Sequence, residues 1–302
     1  MIRGVIPVAP TVFHDNGDLD LGGQRRVVDF AVDAGSAGIC VLANYSEQFS
    51  LSDVERREVA VASLEQAAGR VPVVVTTSHY SARIAAERSR EAQNLGAAMV
   101  MLMPPFFGAT LSATPDAVRA FFLEVAEAID IPIMVQDAPM STTPLMVAQI
   151  ASLAREIPHL QYVKVETAQA ADKIRALAVA AGSDLPGLYD GEEGVTLIPD
   201  LDAGAQGTMT SCMVPDIMGS IVREHLAGDR GAAIDRWERV LPLVHFENRQ
   251  CGLHAAKVLL HEGGVIGSPT TRAPFGALGE ASRTALVDLA RRQDAMILRW
   301  AS

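Results

Sequence analysis

A lysine and a glutamate stand two residues apart inside a short run that has the composition of a β-strand. The run is Tyr162-Val-Lys-Val-Glu-Thr167, and valines flank the lysine on both sides. Because side chains alternate between the two faces of a strand, Lys164 and Glu166 share a face that Tyr162 also occupies. A lysine kept out of water beside a carboxylate has an altered basicity and can attack a ketone to form a Schiff base. A buried structural ion pair is the alternative, and the spacing alone does not separate the two.

Alternating strand and helix patterns along the chain indicate how this pair is positioned. The predicted strands are Gly4–Thr11, Ala37–Ala43, Val71–Ser78, Ala97–Pro104, Ile131–Pro139, Gln161–Thr167, Leu185–Asp190 and Gln206–Cys212. The predicted helices are Leu19–Ala34, Ser52–Ala68, Ser81–Leu95, Thr114–Ile129, Leu145–Ile157, Ala170–Ala181, Val195–Asp202, Pro215–Ala227, Gly231–Phe246, Leu253–His261 and Arg283–Trp300. Several of the helices begin at a capping hydroxyl, as at Ser52 and Thr114, and several end at a glycine.

The order of these elements predicts a fold of the α/β class. Near-continuous apolar strands such as Val71-Pro-Val-Val-Val75 indicate burial on both faces, as in parallel sheets covered by helices. Eight strand–helix units predict a (β/α)8 TIM barrel over residues 1–228, with a C-terminal helical region over residues 229–302 packed on it. A doubly wound open sheet fits less well, because no Gly-x-Gly-x-x-Gly motif follows the first strand.

Polar residues collect where the predicted strands end. The segments are Ala9-Pro-Thr11, Ala43-Asn-Tyr-Ser-Glu47, Thr76-Thr-Ser-His-Tyr80, Met103-Pro-Pro-Phe-Phe107, Gln136-Asp-Ala-Pro139, Tyr189-Asp-Gly-Glu-Glu193 and Thr208-Met-Thr-Ser211. Catalytic groups of a barrel enzyme cluster at the C-terminal ends of its strands. The sequence therefore predicts an active site at that rim, around Lys164.

Composition limits the classes of partner. The formal net charge is −11 and the isoelectric point is about 5.1, which argues against binding to nucleic acid or to an anionic membrane. The opening residues lack the apolar segment of a signal peptide, and no uncharged apolar run reaches membrane-spanning length. Cys40, Cys212 and Cys251 fit neither a disulfide framework nor a zinc motif, so we expect reduced thiols in a cytoplasmic protein without a metal.

Together these segments resemble the dihydrodipicolinate synthase / N-acetylneuraminate lyase family over essentially the whole chain. The resemblance implies that Lys164 forms a Schiff base with a small-molecule 2-oxo acid and that no cofactor is needed beyond this covalent imine. It implies that backbone N–H groups around Asn44, Tyr45 and Ser46 bind the substrate carboxylate, and that Gly191 lines the same pocket. It also implies a homo-oligomer, a tetramer built from dimers.

Departures from the family pattern narrow the expected activity. Gln136 replaces the strand-five tyrosine that relays protons, and a glutamine cannot shuttle a proton as a phenol does. Phe106 and Phe107, which lack hydroxyls, form the strand-four aromatic pair and are candidates for a dimer contact. These features argue against the lysine-biosynthesis synthase and an ordinary sialic-acid lyase. The separated motifs imply instead a lyase that dehydrates 2-keto-3-deoxy-L-arabonate to 2,5-dioxopentanoate in non-phosphorylative pentose breakdown.

Roles for the other polar residues follow from this chemistry. Glu166 is the expected acid or base, because it shares a strand face with Lys164 and the tyrosine is absent. The further candidates are Tyr45, Thr77 and His79 for departure of the C4 hydroxyl, Glu192 and Glu193 for substrate hydroxyls, and Met209 for an apolar wall. One of the two glutamates has the alternative role of beginning the next helix. The segment His245–Gln250 is either part of the site or a polar cluster between helices.

Three other functions remain open. The same Schiff base supports decarboxylating dehydration of a keto-deoxyglucarate, which releases CO₂, or retro-aldol cleavage, which releases pyruvate. The third is a non-catalytic barrel that binds oxo acids. The inward carboxylate of Glu166 argues against this function, because a carboxylate repels an anionic ligand.

Overall fold

The computed structural model describes residues 1–106 and 113–301, and in these residues eight strands alternate with helices. The strands are β1 (Gly4–Val5), β2 (Ile39–Val41), β3 (Val73–Thr76), β4 (Met99–Leu102), β5 (Ile133–Asp137), β6 (Leu160–Val165), β7 (Gly187–Asp190) and β8 (Gly207–Thr208). The helices are α1 (Leu21–Asp33), α2 (Asp53–Ala67), α3 (Ala82–Asn94), α4 (Pro115–Ala126), α5 (Val147–Glu156), α6 (Ala170–Ala181), α7 (Leu197–Asp202), α8 (Pro215–Leu226), α9 (Arg230–Phe246), α10 (His254–Glu262) and α11 (Glu280–Arg292).

Each predicted strand and helix is present, and the differences lie at the ends. The strand predicted at Gly4–Thr11 is reduced to β1 and isolated bridges at Val8. Pro7 and Pro10 explain this, because proline has no N–H to donate to a neighbouring strand. The helix predicted at Arg283–Trp300 ends earlier, and a 3₁₀ turn follows it.

The described residues form two compact units. The first contains residues 1–3, 74–192 and 196–207, and the second contains residues 4–73, 193–195 and 208–301. Neither unit ends at residue 228, so the predicted division at that point remains a prediction. The C-terminal helices α9, α10 and α11 belong to the second unit.

Strand pairing confirms the predicted fold class. The sheet order is β1-β8-β7-β6-β5-β4-β3-β2, and the pairs from β3 to β7 are parallel. Within the second unit, Val8 forms parallel bridges to both Cys40 and Ser211, which links the first strand to the second and to the eighth. This is the order of a (β/α)8 barrel, and a C-terminal helical extension follows α8.

The strands of the first unit are buried along their whole length, apart from Gln161, as the apolar runs predict. The Tyr189 hydroxyl donates to the Ile2 carbonyl at 2.8 Å, and the Ile2 N–H donates to the Tyr162 hydroxyl at 3.1 Å. Gly187 leaves room for the Tyr162 ring, because a Cβ at Gly187 would lie 2.0 Å from that ring. Tyr162 therefore bonds the N-terminal segment of the chain, and Lys164 lies two residues further along β6.

In the second unit, a buried ion pair fixes the loop after β2. Glu47 and Lys257 form a salt bridge with both side chains fully buried. The Lys257 amine also donates to the Thr270 carbonyl at 2.7 Å, and the Arg272 N–H donates to Glu47 at 2.8 Å. Burial lowers the pKa of Lys257 to about 8, although Glu47 acts in the opposite direction. The loop after β2 is thus held by residues that follow it by more than 200 positions.

Substituting Lys257 by methionine should destabilise the protein strongly, because it leaves the Glu47 carboxylate buried without its cation. Breaking a buried pair costs about 3–5 kcal/mol of the free energy of unfolding, whereas a surface pair contributes about 0–1 kcal/mol. Arg283, which pairs with Glu262 and is 43% exposed, provides the control. Urea unfolding should give a much lower midpoint for Lys257→Met than for Arg283→Met, and equal midpoints would contradict this account.

Candidate active site

Lys164 and Glu166 meet at the end of β6. The Lys164 amine lies 2.8 Å from Glu166 Oε1, and the two side chains are 5% and 14% exposed. Lys164 occupies the strand and Glu166 follows its last residue, so the alternation predicted from the sequence brings both side chains to the same side. Neither group is sealed from solvent, in contrast to the pair of Glu47 and Lys257. An enclosed but reachable amine beside a carboxylate is the arrangement that imine chemistry needs.

Gln136 supports this pair from β5. Its position on β5 is aligned with Lys164 on β6, and its Nε2 donates to Glu166 Oε1 at 2.8 Å. Its Oε1 is buried and has no hydrogen-bond partner among the described residues. Gln136 therefore orients the carboxylate with one end and presents an acceptor with the other. This is a different use of the position from the proton relay of a tyrosine.

Gly191, the residue that follows β7, lies against both site residues. Its N–H donates to the Val165 carbonyl at 3.0 Å. A Cβ at this position would lie 2.5 Å from Cγ of Glu166 and 2.7 Å from Cγ of Lys164. The close approach of the backbone explains why the position is glycine, and the structure brings this predicted residue to the pair.

Carboxyl groups surround the end of β7. Asp190 and Asp200 are fully buried, and Glu192 is half-buried. Burial and the neighbouring Asp190 raise the pKa of Asp200 to about 8, and the Thr196 hydroxyl donates to it at 2.7 Å. Burial, Asp190 and Glu166 raise the pKa of Glu192 above its ordinary value. The surroundings of Asp200 and Glu192 therefore oppose ionisation of these two carboxyl groups.

A second lysine pairs nearby without joining the site pair. The Lys173 amine lies 2.5 Å from Asp137 Oδ2 and donates to the Leu145 carbonyl at 2.7 Å. Burial raises the pKa of Asp137, although Lys173 opposes this shift. Asp137 follows Gln136 on β5, so its side chain lies on the opposite face of that strand. Sequence reasoning missed this pair because its partners belong to different elements.

Two predicted residues after β3 have their polar groups occupied. The Thr77 hydroxyl bonds the Ser89 hydroxyl of α3 at 2.8 Å, and Ser89 donates onward to the Ala85 carbonyl. His79 Nδ1 accepts from the Ser81 N–H at 3.0 Å, and its ring stacks on Tyr80. Thr77 therefore directs its hydroxyl to a helix, and a role for either residue at the C4 hydroxyl stays a prediction.

In the second unit, the loop after β2 is a short 3₁₀ turn at Asn44–Ser46. Leu42 precedes it and Glu47 ends it, both with positive φ, at 62° and 56°. Such backbone conformations are uncommon for these residue types and persist where the surroundings fix them, as the ion pair of Glu47 does here.

The polar groups of that turn are largely used inside the unit. The Ser46 hydroxyl donates to the Ala9 carbonyl, and the Thr11 hydroxyl donates to the Ser46 carbonyl, both at 2.6 Å. The Ser46 N–H donates to the Ala43 carbonyl at 3.0 Å. This hydrogen bond uses one of the backbone N–H groups that the sequence analysis predicts to bind the substrate carboxylate. Asn44 and Tyr45 are half-buried, and their predicted role stays a prediction.

The end of β8 is lined by buried groups of the second unit. Met209 is fully buried, which fits an apolar wall. Glu193 precedes helix α7, so it does not begin that helix, and its side chain accepts a hydrogen bond from the Ser211 N–H. The Ser211 side chain also bonds Glu247, which lies in a π-helical turn after α9. Part of His245–Gln250 is therefore in buried contact with Ser211, which follows β8, and His245 is exposed.

No group of His, Cys, Asp and Glu residues within residues 1–106 and 113–301 has the arrangement of a metal site. No helix in the described part of the chain is long and apolar enough to cross a membrane. Cys40, Cys212 and Cys251 are free and buried. Phe106 is half-buried, and Phe107 lies outside the described residues.

Glu247 predicts a specific dependence of stability on pH. Burial raises its pKa from 4.5 to about 8, so the folded protein keeps a proton that the unfolded chain releases above about pH 4.5. The contribution of this proton to stability is present below pH 4.5 and is lost as pH rises through 8. Glu247→Gln should therefore lower the free energy of unfolding less at pH 8.5 than at pH 5, measured by urea unfolding. The same substitution at exposed Glu238 on α9 should show no such difference, and parallel behaviour of the two variants would contradict the assignment.

Comparison with known proteins identifies the family. Residues 1–293 match the model of the dihydrodipicolinate synthetase family. The chain is 50% identical over 299 residues to an L-2-keto-3-deoxyarabonate dehydratase of Azospirillum brasilense, covering 99% of this chain and 97% of that protein. It is 29% identical over 290 residues to a 4-hydroxy-tetrahydrodipicolinate synthase of Methylococcus capsulatus, covering 95% and 97% of the two chains.

Solved structures agree with this result. The dihydrodipicolinate synthase of Rhodopseudomonas palustris superimposes with a TM-score of 0.88 at 28% identity, covering 96% of this chain and 97% of that one. A monomeric dihydrodipicolinate synthase variant has the same fold, with a TM-score of 0.90 at 21% identity and 97% coverage of both chains. The match over nearly the whole length, with a lysine at the end of the sixth barrel strand, shows that the chain belongs to the dihydrodipicolinate synthetase family.

Proposed function

We propose that the protein is a Schiff-base-forming lyase that dehydrates 2-keto-3-deoxy-L-arabonate to 2,5-dioxopentanoate. The observation that carries the proposal is the Lys164 amine, enclosed at the end of β6 and 2.8 Å from Glu166. The 50% identity to a dehydratase named for this substrate supports the choice among lyases. Gln136 in place of a phenol supports it further, because the proton chemistry must then rest on a carboxyl group.

The first step joins the substrate to Lys164. Transfer of a proton from the ammonium to Glu166 leaves a neutral amine, which attacks C2 of the 2-oxo acid. One proton of the added amine passes to the C2 oxygen to give a carbinolamine. The protonated carboxyl then gives a second proton to that oxygen, which leaves as water, and an iminium remains. The iminium withdraws electrons from C3, so the proposal requires neither a metal nor an organic cofactor.

The second step breaks the C3–H bond. Glu166, again a carboxylate, accepts the proton, and the electrons of the C–H bond form the enamine. The bond from Gln136 holds the receiving oxygen in place. The enamine then expels the C4 hydroxyl, which leaves as water with the proton that Glu166 took from C3, and a conjugated iminium remains. Transfer of a proton from C5 to C3 gives an enol, and transfer of the enol hydroxyl proton to C4 gives the aldehyde. Hydrolysis of the imine releases 2,5-dioxopentanoate.

Other parts of the proposal are carried over from the family resemblance. Binding of the substrate carboxylate by the turn at Asn44–Ser46, and an apolar wall at Met209, belong to this group. So do a cytoplasmic location, a role in non-phosphorylative pentose breakdown, and assembly as a tetramer of two dimers. A relative of the same fold is described as a monomeric variant, so assembly is the least constrained of these points.

Reduction with borohydride in the presence of 2-keto-3-deoxy-L-arabonate should attach the substrate to Lys164. Mass mapping of the adduct and a parallel assay for the semialdehyde test the proposal together. Lys164→Ala should abolish both signals, whereas the same change at Lys173 should leave Lys164 labelled. An adduct on another residue would end the proposal. Release of pyruvate would indicate retro-aldol cleavage, release of CO₂ would indicate decarboxylating dehydration, and an adduct without any product would indicate a binding protein.

Glu166→Gln should separate binding from turnover. The variant should reach the same final yield of borohydride adduct, but its kcat should fall by about 10²–10⁴-fold, the usual contribution of a positioned acid–base group. Exchange of the C3 protons of bound 2-oxo acid with D₂O, followed by NMR, should fall with it. Normal exchange in Glu166→Gln would assign the base to another residue.

A further inference from the structure

Gln136 is buried in a way that does not favour the stability of the fold. It is 1% exposed, and its Nε2 donates to Glu166 Oε1 at 2.8 Å, whereas its own Oε1 is buried without a hydrogen-bond partner among the described residues. A buried polar group that stays unpaired costs free energy, and an apolar side chain of similar shape avoids that cost. Stability therefore does not explain why an amide occupies this position.

An irregularity in strand pairing brings this amide to the site. The register of β5 against β6 shifts by one residue between Ile133 and Met134, where β6 has one residue more than β5. Beyond the shift, Gln136 is aligned with Lys164, a place that regular pairing would give to Asp137. A shift of one residue exchanges the two faces of a strand, so it determines which of these side chains lies beside the amine.

The next residue on β5 has a different set of partners. Asp137 faces the other side of the strand, where its Oδ2 lies 2.5 Å from the Lys173 amine of α6. Lys173 also donates to the Leu145 carbonyl, so this pair links β5 to the segments around it. The Gln136 side chain bonds Glu166 and no other residue in the described part of the chain. Whatever its amide contributes is therefore delivered to that carboxyl group.

We propose that Gln136 is a positioning residue that acts on the reaction through Glu166 and is retained although it lowers the stability of the fold. The proposal rests on the function given above and assigns no proton transfer to the amide. The Nε2–H group holds one oxygen of the carboxyl, which keeps the carboxyl oriented beside the Lys164 amine during successive proton transfers. An apolar side chain would let the carboxyl rotate, and a small misplacement of a reacting group lowers the rate strongly.

Gln136→Met should separate activity from stability. Its kcat should fall by about 10–100-fold, because the carboxyl is no longer oriented. Exchange of the C3 protons with D₂O should fall by the same factor, whereas KM and the final yield of borohydride adduct on Lys164 should stay close to the wild-type values. Urea unfolding should give a midpoint equal to or above that of the wild type, because the substitution removes the unpaired amide oxygen.

Gln24 of the second unit provides the matched control. It is also 1% exposed, and its Nε2 has no hydrogen-bond partner among the described residues. Its Oε1, however, accepts from the Val12 N–H at 3.2 Å. Gln24→Met leaves that buried N–H group unpaired, so it should lower the urea midpoint while the folded protein keeps its kcat. The same substitution should therefore reduce activity at one position and stability at the other.

A double variant tests whether Gln136 acts through Glu166. In the Glu166→Gln background, Gln136→Met should lower kcat no further, because the effects of two residues that act as a unit are not additive. A second full loss in the double variant would show that the amide acts on another group and would overturn the proposal.

The other outcomes are equally decisive. A normal kcat in Gln136→Met, or a raised KM alone, would contradict a positioning role. A urea midpoint that falls as far as in Gln24→Met would make the amide a structural residue. If the wild-type enzyme forms neither an adduct on Lys164 nor the semialdehyde, the proposed function fails instead, and the two failures are thereby distinguished.

Discussion

The contact between the Lys164 amine and the Glu166 carboxylate is the interaction on which the proposed chemistry depends. Removing an amine from water costs free energy, and a carboxylate at 2.8 Å offsets that cost. In the proposed function the same carboxylate accepts the proton that the amine must lose. The surrounding elements serve this contact. Parallel pairing aligns Gln136 of β5 with Lys164 of β6, so an amide reaches the same carboxylate from the neighbouring strand. The approach of Gly191 closes the other side without adding a side chain.

Comparison with the other buried lysine shows why exposure decides the role of such a pair. Lys257 and Glu47 have no exposed side-chain surface, and Lys257 also donates to a backbone carbonyl. No substrate can reach that amine, and its effect is on the shape of the loop after β2, where Leu42 and Glu47 hold positive φ. Lys164 and Glu166 keep 5% and 14% of their surface exposed. The same two residue types thus fix a strained turn in one place and, in the proposed function, supply a nucleophile in the other.

Sequence reasoning succeeded where the information was local. The period of two places Lys164 and Glu166 together, and the strand–helix repeats predict the barrel. The capping hydroxyl predicted at Ser52 accepts a hydrogen bond from the Glu55 N–H. It did not find contacts between distant segments. Lys257 and Glu47 are 210 residues apart, and nothing in either neighbourhood signals the other. The sequence also does not show where the Thr77 hydroxyl points, because a polar residue at a strand end can bond either to a neighbouring helix or to a substrate. Pro7 and Pro10 explain why β1 is shorter than the strand that the apolar pattern predicts.

Gln136 occupies the position at which the family resemblance implies a proton-relaying tyrosine, and the proposed mechanism therefore moves protons differently. A phenol both donates and accepts, so one residue can serve successive steps, whereas an amide holds a fixed donor and a fixed acceptor. In the proposed function, proton transfer then rests on a carboxyl group, and Glu166 is the carboxyl that the Lys164 amine and the Gln136 amide both contact, each at 2.8 Å. Parallel pairing of β5 with β6 brings that amide to Glu166, so Gln136 can orient the carboxyl although it cannot relay a proton itself.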